Sequence, residues 1–521
     1  GELNKTFSRG SAVFHNETIK TTFSNEIPDV GKKSEDVLRE IIPAFKDMIH
    51  WNHPRVLHNI TSPSLIDGVA AKTLTSLYNP NCIWDYVSGH FVDMENAISR
   101  QIANLVRYPD SHKGAFTFGG KGTLMYAIKL GMNRCNPDNT VNGIDKDMVV
   151  LTSESNHYSI EYICNLVGLG KKACIRIPVD NEGLINLKAF QEMAEDLLKR
   201  DKKVVCIILS GGNSLNNTVD PIKEVIDYLE YLTQKFILSY KPFVHVDSVI
   251  GWLWLTFNEY DFSKNNLGIE RRVLKKIEKV NKRILESKFA DSIGIDFHKN
   301  GFASYVSSMY LCKHKSELLS LNSGALQGDS EKEYGNNFLQ HFTIEHSRSG
   351  DGIISAYVSL QEIGIDGFRR YIAKMMEVHD YIEQNIDGKI FEVTNPHGLG
   401  FPVVLFPKPG FFSGLYNDLK NESKNRISDI QSYCYELFQY ISSKKGEDAP
   451  VIGYISNYTH SIDGIDIPAF KLYPMSVETD EENLKIILAQ LHDIKKKFDE
   501  NKLRHTKEAS KLSDKEIIFP K

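Results

Sequence analysis

Val204-Val205-Cys206-Ile207-Ile208-Leu209 is an unbroken apolar run of strand length. A helical pattern follows at 222–234, and a second apolar run, Phe243-Val244-His245-Val246, comes after it. Runs without polar alternation suit strands buried on both faces, as in parallel sheets covered by helices. The same alternation extends outward over about 115–315, with further candidate strands at 148–152, 173–177 and 304–311. Helical stretches at 122–133, 158–166 and 187–198 lie between them. This order predicts an α/β chain with a mainly parallel central sheet.

The flanks read differently. Residues 1–110 are helical and loop-rich, broken by Pro54, Pro63 and Pro80, with an amphipathic helix expected over 91–106. Residues 351–384 form a long helical stretch interrupted around Gly364 and Gly367. From about 390 strands and helices suggest a smaller α+β domain that closes with a helix over 481–500. The expected division is therefore 1–110, 111–385 and 386–500, with 501–521 as a mobile tail.

Composition excludes several classes. The chain has 521 residues, 41% hydrophobic and 25% charged, and 62 basic against 67 acidic residues give a net charge of −5. That is ordinary globular composition, with no basic excess to support nucleic-acid binding and too little charge for a disordered acidic chain. No apolar stretch approaches the roughly 18 residues of a membrane span, and Gly1-Glu2-Leu3-Asn4-Lys5 leads into no hydrophobic signal core. Seven cysteines without a CxxC pair offer neither a disulfide framework nor a zinc-finger spacing. A reducing, cytoplasmic setting is expected, with no membrane or nucleic-acid partner and no metal. The segment 270–288 is locally basic, but Val273, Leu274, Ile277, Val280 and Ile284 share one helical face, so a surface helix is expected.

Four elements could carry chemistry. Asp291-Ser-Ile-Gly-Ile-Asp-Phe-His298-Lys299 is a strand-like run ending on His-Lys. A lysine there is commonly a surface residue, yet an amine that bonds to a carbonyl must be held in a pocket. Phe243-Val-His-Val-Asp247 ends an apolar strand on a carboxylate, which is costly to bury without a cation. Taken alone, it could equally cap a helix or turn. Phe116-Thr-Phe-Gly119-Gly120-Lys121-Gly122-Thr123 leads glycines into a helix, whose N-terminus can hold a phosphate. It is neither a Walker loop nor a dinucleotide fingerprint. Ser155-Asn156-His157-Tyr158 places a histidine just after a predicted strand, where ligands bind in open α/β sheets.

The order glycine-rich loop, His, Asp, His-Lys resembles the group II pyridoxal-phosphate-dependent amino acid decarboxylases from about residue 51 to 500. His53-Pro54, Asn79-Pro80-Asn81 and Ser347-Arg348-Ser349-Gly350 add to the resemblance. It implies a fold type I transferase-like α/β architecture, the cofactor pyridoxal 5'-phosphate, and decarboxylation of an L-amino acid to an amine and CO₂. It further implies that Lys299 holds the cofactor covalently, Asp247 pairs with its ring nitrogen and His157 stacks on the ring. Gly122 and Thr123 would bind the phosphate with help from His298, and Ser214 would lie beside the cofactor. Tyr334 is the candidate for protonating the substrate carbon. A homodimer with the site at its interface is also implied, with pocket residues drawn from 58–65 and 84–88. Asn300-Gly301-Phe302 and Tyr305-Val306-Ser307-Ser308 are similar to the related sphingosine-1-phosphate lyases, so a carbon–carbon lyase is the alternative. A catalytically silent binding protein is a third reading, which intact Lys299, Asp247 and His157 oppose.

Overall fold

The computed structural model describes residues 12, 23–45, 47–180, 182–322, 342–396, 398–444 and 449–513, the last ten of these as backbone only. They pack into two compact units. One comprises residues 60–377 and 397–401; the other joins the chain up to Asn59 with 378–396 and the chain from Pro402 on. The segment 1–110, expected as one piece, is thus divided between them.

The larger unit is built on a seven-stranded sheet: β1 (Lys113–Thr117), β2 (Met148–Ser153), β3 (Cys174–Ile177), β4 (Lys203–Ser210), β5 (Phe243–Asp247), β6 (Ser292–Asp296) and β7 (Ser308–Cys312). Their spatial order is β1-β7-β6-β5-β4-β2-β3. All neighbours pair parallel except β7, which is antiparallel to both β1 and β6. Every residue of β2, β6 and β7 is buried, as is β4 apart from its first. Burial on both faces is the physical reason these strands read as apolar runs.

Helices connect the strands: α1 (Ile66–Tyr78), α2 (Phe91–Val106), α3 (Gly120–Cys135), α4 (Ser159–Leu166), α5 (Leu187–Lys199), α6 (Ile222–Lys235) and α7 (Arg271–Ile284). On α7 the apolar face is buried, and Glu270 caps the helix by accepting the Arg272 and Val273 N–H groups. The expected strand at 304–311 begins only at Ser308. Before it, Phe297–Asn300 makes one helical turn, and the following loop returns to donate and accept around Phe297. The expected strand at 173–177 starts one residue later because Lys171–Ala173 is a 3-10 turn.

In the smaller unit the two-residue strand Val56–Leu57 pairs parallel with β10 (Val451–His460). The sheet continues antiparallel through β11 (Asp466–Leu472), β9 (Val403–Pro407) and β8 (Phe391–Val393). Its apolar core includes Phe391, Leu405, Phe470, Ile430 and Leu491. The long helix α8 (Asp351–Asn385) belongs to the larger unit as far as Glu377 and breaks there at Gly364, whose φ of 63° an L side chain rarely adopts. α9 spans Lys424–Ser443, and α10 spans Glu481–Ser513. The tail expected from residue 501 is therefore helical as far as Ser513. Lys502 supports it, with Nζ 2.8 Å from Glu436 Oε2 on α9.

One buried ion pair fixes the floor of the larger unit. Arg348 grips both oxygens of Glu95, at 2.6 and 2.9 Å, and also donates to the carbonyls of Phe116 and Cys82. Glu95 is fully buried, and its Oε1 accepts the Phe116 N–H at 2.6 Å. The Arg-Ser-Gly and Asn-Pro-Asn signatures meet here through the Asn81–Ser349 bridge. Removing one partner of such a pair strands a buried charge, at a cost of about 3–5 kcal/mol. Arg348→Leu should therefore lower stability by about that amount in urea titration. The double change Arg348→Leu with Glu95→Leu should recover part of the loss.

Candidate active site

The carboxyl ends of five parallel strands converge on one cavity of about 200 Å³ in the larger unit. Open α/β sheets place ligands at this edge, where helix N-termini and strand-end side chains point outward together. Its lining includes Lys121, His157, Ser214, Asp247, Asp296, His298 and Lys299, with the backbone of Gly120 and Gly212.

Lys299 stands on the helical turn after β6. Its Nζ is 3.0 Å from Oδ2 of Asp296, the last residue of that strand. The turn is braced on several sides. Phe297 N–H donates to Ser307 O, Asn300 Nδ2 donates to Ile250 O at 2.6 Å, and Ser62 N–H donates to Lys299 O at 2.5 Å. Ser62 Oγ also accepts the Phe302 N–H, so the 61–65 part of the segment expected to line the pocket holds the lysine's backbone. Burial would depress the Lys299 ammonium, but the Asp296 and Asp247 carboxylates outweigh it and its pKa lies above the ordinary value.

Asp247 ends β5. Burial pushes its pKa up to about 6; Lys299 pulls it down, while Asp296 adds to the rise. Asp296 is 1% exposed, accepts the Ser308 hydroxyl at 2.5 Å and lies 3.6 Å from His298 Nε2. His298 packs its ring 4.1 Å from that of Tyr305, and its Nδ1 accepts the Ser307 N–H. Burial lowers its pKa, so the ring is neutral near pH 7.

The turns after β4 and β5 are tightly packed. A side chain on Gly251 would collide with the Gly211 carbonyl, which is why glycine stands there. The packing sets Ser210, Asn213 and Ser214 beside Asp247 in the cavity lining. His157 follows β2; its Nδ1 accepts the Ser159 N–H at 3.2 Å, which leaves the proton of a neutral ring on Nε2.

The glycine-rich loop requires a shift from the sequence expectation. α3 begins at Gly120, so the N–H groups of its first turn point out of the helix at Gly120 and Lys121. Gly122 and Thr123 do not line the cavity. The Thr123 hydroxyl donates to Gly120 O at 2.8 Å, and the side chain is buried against Gly294. Gly122 is crowded by Thr117. Lys121, 4.7 Å over the Tyr162 ring, is the added cation at this edge. Sequence reasoning gave Asp296 and Lys121 no role, although both stand inside the quoted motifs. Tyr334 lies outside the described residues.

The donor set fits a flat, phosphorylated aldehyde. It offers a buried carboxylate for a ring cation, a primary amine, an imidazole, and helix N–H groups with a lysine for an anion.

Comparison with known proteins agrees. The pyridoxal-dependent decarboxylase conserved domain matches residues 17–271. An L-2,4-diaminobutyrate decarboxylase of Rhizobium meliloti is 24% identical over 67% of this chain and 64% of that protein. An acidic amino acid decarboxylase, GADL1 of Bos taurus, is 22% identical over 58% of this chain and 53% of its own. The matches thus span less than two thirds of these two relatives. Among solved structures, mouse CSAD in its apo form superposes with a TM-score of 0.73 at 19% identity, covering 90% of each chain. Oryza sativa TDC with PLP and tryptamine gives 0.73 at 14%, covering 94% of each. The fold is the α/β fold of these solved structures, and the match to the pyridoxal-dependent decarboxylase conserved domain covers just under half of the chain.

Asp247 gives a pH test. Its pKa in the fold, about 6, exceeds the ordinary 3.8, so the folded chain binds the proton more tightly than the unfolded chain. Its contribution to stability is favourable below the unfolded value and declines as pH rises through about 6. Without cofactor, Asp247→Asn should flatten the fall in melting temperature between about pH 4 and about pH 6. An unchanged slope would mean that Asp247 does not titrate there.

Proposed function

We propose that this chain is a pyridoxal-phosphate-dependent carboxy-lyase that converts an L-amino acid to the corresponding amine and CO₂. The observation that carries the reading is Lys299 Nζ held beside two strand-end carboxylates in a cavity that also opens on a helix N-terminus. When bound, the cofactor supplies an electron sink for the pair left on the substrate carbon as the carboxylate departs.

The residues divide the remaining work. Lys299 anchors the cofactor through its amine. Asp247, ionised above about pH 6, stabilises positive charge on the ring nitrogen. His157, in the cavity lining, would cover the ring face and orient the carboxylate to be lost. Gly120 and Lys121 hold the phosphate by N–H groups and charge, and Ser214 and His298 close the sides. The walls limit water around the charges, which strengthens each interaction.

Two further features belong to this reading. A homodimer is supported by α1, whose Ile66, Leu77 and Tyr78 are 81, 77 and 86% exposed and form an apolar surface for a second copy. Leu77→Glu should shift the chain toward monomer in sedimentation; an unchanged distribution would exclude this face. A cytoplasmic setting is supported by seven cysteines that are all free thiols. No helix among the described residues is long and apolar enough to cross a membrane.

The central test is CO₂ release over a panel that includes acidic, aromatic and diamino L-amino acids. Wild type should release CO₂ from at least one. Lys299→Ala should lose activity by about a thousandfold or more and also lose the near-visible absorbance of lysine-linked cofactor. Release of an aldehyde and phosphoethanolamine from a sphingoid phosphate, without CO₂, would support the lyase alternative instead.

A further inference from the structure

Asp296 is the carboxylate nearest the reactive amine, and the cofactor reading above leaves it without a task. It is 1% exposed and forms a 3.0 Å ion pair with Lys299 Nζ. Its other oxygen accepts the Ser308 hydroxyl, so the carboxylate cannot swing away from the lysine without losing that bond. A methyl group placed on Gly120 would stand 3.0 Å from Asp296 Oδ2, so this carboxylate borders the turn proposed to receive the phosphate.

These positions set the charge on the lysine against its reactivity. A lysine reacts with an aldehyde only as the neutral amine. Once the amine is neutral, an ionised Asp296 would be a buried charge without its cation and next to an anion site, a costly arrangement. We propose that Asp296 is the carboxylate that holds Lys299 as an ammonium ion in the cofactor-free protein, so that the amine becomes free to react only when its proton is given up to solvent. In that step an Nζ–H bond breaks and the proton passes to water. The inference deepens the cofactor reading of the same site and rests on it.

The other groups around the pair are less suited. Asp247 on β5 acts on Lys299 through its charge, whereas the hydrogen bond goes to Asp296. His298 on the same turn has Nδ1 engaged with Ser307, and burial makes its ring a weak base. Tyr305 in the following loop packs its ring against His298. Lys121 on α3 and His157 after β2 line the same cavity. Asp296 acts here through Lys299 and is a positioning residue.

The test measures how fast pyridoxal 5'-phosphate, added to the full cofactor-free chain, develops the near-visible absorbance of lysine-linked cofactor across a pH series. In wild type the rate should climb to an alkaline midpoint. Asp296→Asn preserves shape and can still accept the Ser308 hydroxyl, yet it should lower the midpoint by about one pH unit, a roughly tenfold faster reaction at neutral pH. Asp296→Glu should stay near wild type. Superimposable profiles for wild type and Asp296→Asn would overturn the proposal. No absorbance in wild type at any pH would instead overturn the cofactor reading. A second measurement needs no variant: acylation of Lys299 in the cofactor-free wild type by a small neutral reagent, followed by peptide mass against pH. Its midpoint should lie above that of the surface lysines, and a midpoint at or below theirs also overturns the proposal.

Discussion

Three charged groups share the carboxyl edge of one buried sheet: Asp247 at the end of β5, Asp296 at the end of β6, and Lys299 one turn later. Two carboxylates against one ammonium leave an excess of negative charge in a poorly solvated place. Burial, with Asp296 adding to it, raises Asp247 to about 6, and the two carboxylates hold Lys299 protonated. The surrounding structure follows from the need to keep such charges in position without water. Buried strands supply rigidity, glycines allow the turns to approach, and backbone hydrogen bonds fix the lysine's turn from several sides.

The Arg348–Glu95 pair serves a related end at a different place. It ties the start of α8 to α2 and β1, the strand that feeds the glycine-rich turn. A buried ion pair is seldom a large net gain in stability, because both ions lose their hydration. Here it satisfies backbone groups of Phe116 and Cys82 in the same network, so its value lies in fixing where β1 ends and α3 begins.

Much of this was legible in the sequence. The apolar runs at 204–209 and 243–246 became β4 and β5 nearly residue for residue, because strands covered on both faces leave little ambiguity in the pattern. Helix 91–106 matched its predicted ends, since its apolar spacing was regular. Prediction failed where tertiary hydrogen bonds set the limits. The segment 304–307 has strand-like composition, yet its Ser307 carbonyl accepts the Phe297 and His298 N–H groups and its Ser304 N–H donates to the Ser355 hydroxyl. The tail after residue 500 is helical partly through a partner on α9, which no local pattern reveals.

The site shows the same division. Residue order alone determined that a lysine, a strand-end aspartate, a histidine and a glycine-rich helix start would be present, since each is a local feature of a few residues. Which atoms face the cavity was decided only by the fold. Thr123 has the right chemistry for a phosphate, but the helix turns its hydroxyl back to Gly120 and gives the cavity to Lys121. Asp296 reads as an ordinary strand end in the sequence; its meaning comes from the 3.0 Å to Lys299 and the approach of Gly120 across the sheet edge. A sequence specifies side-chain types and local periodicity, whereas distance and desolvation between remote strands are properties of packing, and those set the charges that do the chemistry.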